Sequence, residues 1–175
     1  MQRLLFGAIL VVSACLITTS SSDVVAADGP PDSAAAKLTR EKKLKAKISI
    51  DSTDGGGMML REIIDEIVPS VRDAKIDGQK VGAPRIKPDP KAGITLTTRI
   101  KFKSMNEPLE VVLDKMFEAS GRPWGYYVNV SSKKDDQEDG AIIIVADPTC
   151  RGYPPGDSRN KKPDVKKEDP KKTTK

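Results

Sequence analysis

Two cysteines, a glycine turn, an acidic loop and a run of alternating basic side chains are the groups in this 175-residue chain whose types and spacing bear on chemistry. Histidine is absent. Its absence removes the usual general base, the Ser–His and Cys–His nucleophile pairs, and most zinc sites. Cys150 would need another activator, and its place after the last apolar segment offers none. Once the N-terminal segment is processed it has no partner, so it reads as a free thiol or an intermolecular bridge. No catalytic residue, cofactor or metal is expected.

Asp54-Gly-Gly-Gly57 precedes a helical pattern, and helix N-termini attract anions. Neither Gly-x-Gly-x-x-Gly nor Gly-Lys-Ser/Thr is present, so a flexible turn is the expectation. Asp135, Gln137, Asp139 and Gly140 resemble the start of a calcium loop. Ala146 stands where the required glutamate would be, which leaves a solvated hairpin tip. Arg99, Lys101 and Lys103 recur every second residue and form a basic strip if their face is open, the alternative being an ordinary solvated sheet face. Trp124 and Tyr126 share a face with Val128 and Val130 and should pack in the core, whereas Tyr127 points the other way. The candidate partner-binding residues are therefore Arg99, Lys101, Lys103 and Tyr127.

These residues need a scaffold. Lys47–Asp51 alternates as a short strand. Leu60, Ile63, Ile64, Ile67, Val68 and Val71 make one helical stripe, and Pro69 should end that helix near Val68 or kink it. Pro84, Pro88 and Pro90 confine any strand at Arg85-Ile-Lys87 to a sheet edge. Ile94 to Ser104 alternates as a long half-buried strand. A helix follows, with Asn106 as cap, Leu109, Val112, Leu113, Met116 and Phe117 as stripe, and Gly121 as stop. Trp124 to Val130 and Ala141 to Ala146 supply two more strands, the second apolar on both faces. The expected class is α/β of the α+β type, in the order β-α-(β)-β-α-β-β. Two helices should cover one face of a small mixed sheet of four or five strands, with disordered termini.

The segment Phe102-Lys-Ser-Met-Asn-Glu-Pro-Leu-Glu-Val-Val-Leu-Asp-Lys-Met-Phe117, then Gly121, Trp124-Gly-Tyr-Tyr-Val128 and Asp139-Gly-Ala-Ile-Ile-Ile-Val145, resembles the short N-terminal (STN) domain of secretins and TonB-dependent receptors. The resemblance covers Lys47 to Asp147. It implies a stand-alone module that docks other envelope components. The connection from Val71 to Gly93 is longer than that pattern has, and no pore or barrel follows.

The N-terminus reads as an export signal: Arg3, an apolar run from Leu4 to Ile17, and Val25-Ala-Ala27 as a cleavage site. Fourteen residues are short of the roughly 20 that span a bilayer. Val12-Ser-Ala-Cys15 also resembles a lipobox, which makes Cys15 a lipidation candidate. The expected division is signal peptide 1–27, linker 28–46, domain 47–148 and disordered Lys-rich tail 149–175. The formal charge of +5 sits largely in that tail, and its single aliphatic residue beyond Asp157, Val165, is too little to order it. The expected function is an exported, non-catalytic protein–protein interaction module of the periplasm or an envelope membrane. The alternative is binding of a polyanion, an envelope polysaccharide or anionic lipid, through the tail. An envelope protein partner is expected and nucleic acid is not, and membrane contact would come only through a lipid anchor.

Overall fold

Alternating and helical stripes in the sequence become three helices and ten short strands in the computed structural model, which describes residues 31–133 and 136–160. In chain order these are α1 Ala34–Glu41, β1 Lys47–Asp51, β2 Met58–Met59, α2 Leu60–Asp73, β3 Lys75–Ile76, β4 Gln79–Lys80 and β5 Ile86–Pro88. Then follow β6 Arg99–Ile100, β7 Lys103–Pro108, α3 Leu109–Ser120, β8 Gly125–Val128, β9 Ile142–Val145 and β10 Arg151–Gly152. The fold is of the α+β type. One mixed sheet has the order β10-β8-β9-β5, with β8 antiparallel to β9 and the two outer pairs parallel. β5 lies at its edge, as its prolines require. The other strands pair off as antiparallel ribbons, β1 with β7, β2 with β6, and β3 with β4. A mixed sheet of four strands is thus present, but it takes in β10, read as tail, while β1 and the stretch after Ile94 stand outside it.

The two expected stripes bury themselves in one core. α2 contributes Leu60, Ile63, Ile64, Ile67 and Val71, and α3 contributes Leu109, Val112, Leu113, Met116 and Phe117. They pack with Ile48 and Ile50 of β1, with Ile100 and Phe102, and with Tyr126, Val128, Ile142 and Ile144 of the sheet. Phe117 meets the Trp124 ring edge-on at 6.4 Å between centroids. α2 runs past Pro69 to Asp73 instead of ending near Val68. An interior proline costs about 3 kcal/mol. Val71, fully buried beyond it, returns much of that, since burying such a side chain contributes roughly 1.5–3 kcal/mol.

Three expectations are corrected. The stretch Ile94–Ser104 is not one strand. The carbonyls of Leu96 and Thr98 accept the N–H groups of Arg61 and Leu60 at 3.0 and 2.9 Å, so this segment caps α2 instead of joining a ladder. Asn106 does not cap α3. It sits within β7 at φ 52°, its N–H donating to the Ser49 hydroxyl, and Pro108 holds the cap position. The boundaries at 46 and 149 also move outward. Residues 31–46, read as linker, carry α1 and a 3-10 turn whose Ala36, Thr39, Leu44 and Ala46 are buried. Residues 149–160, read as tail, hold buried Cys150 and strand β10. The signal segment, Cys15 and residues 161–175 lie outside the described residues.

Candidate functional site

Alternation puts Ile100, Phe102 and Ser104 inward and Arg99, Lys101 and Lys103 outward, so the expected basic strip is exposed. It does not lie on the four-stranded sheet. Arg99 belongs to β6, Lys103 to β7, and Lys101 to the break between them. The Ser52 side chain holds that break, its hydroxyl donating to the Phe102 carbonyl and accepting from the Phe102 N–H. Gly57 lets the two ribbons approach there: a Cβ on it would stand 2.7 Å from the Ile100 carbonyl oxygen. Arg99 donates to the Gly57 carbonyl at 2.8 Å. Lys103 pairs across strands with Asp51 at 2.6 Å. That pair, with Thr53, holds the Asp51 carboxyl down at about 2. Lys101 makes no ion pair among the described residues. Met105, the neighbouring outward residue, is 60% exposed.

Tyr127 is not brought to this strip. It lies on β8, packed with Ala141, Ile143, Val145 and Cys150 on the second face of the sheet. Burial raises its phenol above the ordinary value. Cys150 is fully buried in the same cluster, and burial pushes its thiol up to about 11. A protonated, covered thiol is neither a nucleophile nor a ready disulfide partner, so of the two expected states Cys150 takes that of a free, buried thiol.

The glycine turn before α2 holds no anion cradle. Glu62 turns its carboxylate back onto the Met59 N–H at 2.7 Å, and the next two N–H groups go to Thr98 and Leu96. Three of the donors an anion would use, the N–H groups of Met59, Leu60 and Arg61, are already satisfied. In the hairpin tip, Asp139 accepts from the Ser33 hydroxyl at 2.6 Å and the Ser131 N–H at 3.1 Å. Among the described residues no cluster of acidic or cysteine side chains could hold a metal, and no helix is long and apolar enough to cross a membrane.

Two clusters have no counterpart among the expected sites. The first is a strap, residues 150–160, folded against α1. Tyr153 lies between two guanidinium groups, with Arg40 at 4.3 Å and Arg159 at 4.2 Å from the ring centre. Arg40 also donates to the carbonyls of Gly152 and Val128 and pairs with Asp32. Arg159 grips Asp157 through two hydrogen bonds, which holds that carboxyl down at about 2. The Asn160 amide ties the strap's own backbone at Arg151, Tyr153 and Pro154. The second is a cleft of about 460 Å³ at the end of α3, lined by Asp114, Phe117, Glu118, Arg122, Trp124 and Arg151. Asp114 and Arg151 face each other at 2.7 Å, off the axis of a good hydrogen bond. Burial raises the Asp114 carboxyl despite the guanidinium beside it.

No family model, curated protein or solved structure matches the chain.

Proposed function

We propose that this chain is an exported, non-catalytic docking module of the cell envelope, related to the short N-terminal domains it resembles, and that it takes an acidic protein segment on the strip Arg99, Lys101 and Lys103. The observation that carries the reading is the strip itself: three cations outward on two short ribbons, beside an exposed Met105. An apolar side chain among exposed cations suits a partner with carboxylates around an apolar residue. Docking on the ribbon face is favoured over strand addition. β7 carries a register shift, a left-handed Asn106 and Pro108, features that blunt an edge. Asp51 already neutralises Lys103, so an incoming carboxylate competes with it, and Lys101 is the cation most open to a partner.

Reversing Arg99, Lys101 and Lys103 to glutamate should weaken partner capture from envelope extract by about tenfold or more, with circular dichroism unchanged. Capture at the wild-type level by the folded triple variant sinks the proposal. Mass spectrometry of the mature N-terminus tests export, separating lipid on Cys15 from a chain starting at Asp28 and both from an unprocessed Met1.

A further inference from the structure

The cleft at the end of α3 carries charges of both signs over an aromatic floor. Its volume of about 460 Å³ lies in the range of small-molecule sites, about 300–1,000 Å³. Phe117 and Trp124, both almost fully covered, form the floor. Asp114 and Arg151 are half-buried in the lining, 2.7 Å apart, and their facing atoms, Asp114 Oδ1 and Arg151 Nε, make no hydrogen bond. A charge pair desolvated without that bond is a cost that folding alone does not require. Glu118 and Arg122 complete the lining. Both are exposed, and neither makes an ion pair among the described residues. A second hollow of about 250 Å³ shares Arg122 and Trp124 with the first and adds the apolar walls of Pro123 and Ala146.

We propose that this cleft binds a small zwitterion, a free amino acid with an apolar side chain: its carboxylate on Arg122, its ammonium on Glu118 and Asp114, and its side chain over Trp124 toward Pro123 and Ala146. Charge balance argues for it. Two guanidiniums stand with two carboxylates, so the lining has no net charge. A simple anion placed there meets Asp114 and Glu118, and a simple cation meets Arg122 and Arg151. Like charges brought together in a partly desolvated site are costly. A ligand carrying both signs matches all four groups. A guanidinium takes a carboxylate through two parallel hydrogen bonds. Arg151 is committed elsewhere, with Nη1 donating to the Cys150 carbonyl and Nε facing Asp114. Arg122 is the guanidinium left for the ligand. Burial raises the Asp114 carboxyl even with Arg151 beside it, so an arriving ammonium adds counter-charge that the carboxylate still lacks.

Trp124 is the chain's single tryptophan, so its fluorescence reports on this cleft alone. Titrating the full chain with L-leucine should give a saturable change. Leucinamide, which lacks the carboxylate, and 4-methylpentanoate, which lacks the ammonium, should each bind about tenfold more weakly. Arg122→Gln should lower leucine affinity about tenfold and erase its advantage over leucinamide, and Glu118→Gln should do the same relative to 4-methylpentanoate. Both side chains are exposed, so neither change disturbs the core. Equilibrium dialysis with labelled leucine measures the binding itself, and no retention at about 1 mM overturns the proposal. Equal binding of 4-methylpentanoate would make the cleft an anion site, and equal binding of leucinamide a cation site. Either result removes the zwitterion assignment.

Discussion

Cys150 shows how burial alone can change what a residue is able to do. Its side chain is fully covered, and its thiol is pushed from the ordinary 9.0 up to about 11. Burial thus holds the thiol protonated at neutral pH, before any loss of access. In a Cys15→Ser chain, Cys150 should therefore stay unreactive to a thiol reagent until denaturant is added. Rapid reaction in the native chain would contradict the packing. Gly125 explains how that burial is reached. A Cβ there would lie 2.1 Å from the Asp147 carbonyl oxygen and 2.8 Å from that of Cys150, so only glycine lets the loop cross β8 this closely. A sequence shows Gly125 between aromatics but not what crosses it.

Ser52 and the strap matter at the scale of elements. At the break between β6 and β7 the Ser52 hydroxyl accepts the Phe102 N–H and donates to the Phe102 carbonyl, which also accepts the Ser52 N–H. Ser52→Ala should cost about 1–3 kcal/mol by leaving the buried Phe102 N–H unpartnered, while the Phe102 carbonyl keeps the Ser52 N–H. Equilibrium urea unfolding measures it, and an unchanged midpoint would show the break holds itself. The strap should be acid-sensitive. Arg159 depresses the Asp157 carboxyl from 3.8 to about 2. A group whose folded value is depressed contributes stability that is full above its ordinary value and is lost as pH falls toward the folded one. The Tyr153 ring signals in NMR should therefore keep their stacked shifts down to about pH 4 and lose them toward about 2. Loss already at neutral pH would show that Arg159 and Asp157 do not hold the stack. The β3–β4 hairpin was also open to reading, since Asp77-Gly78 between Ile76 and Gln79 is a turn signal, with both residues at positive φ.

For the whole molecule, the strap makes residues outside the expected domain part of it. Removing residues 151–160 along with the tail takes away β10, the Asp114–Arg151 pair and the Tyr153 stack. That truncation should lower the melting temperature by several degrees relative to one ending at Asn160, since about 1 kcal/mol shifts a domain of this size by roughly 2–8 °C. Equal melting temperatures would make the strap an ornament of the surface. Periodicity by itself determined β1, the stripes of α2 and α3 and the inward Trp124 and Tyr126, and residue type determined the glycine stop at Gly121 and the edge position of β5. In those segments each residue's side is decided by its own spacing. Only the tertiary structure decided that Ile94–Thr98 caps α2, that α1 docks, and that Tyr153 joins the two ends of the described body. α1 buries just Ala36 and Thr39, with the Thr39 hydroxyl donating to the Gly140 carbonyl. Small and polar residues leave no apolar stripe, and partners more than a hundred residues apart leave no local pattern.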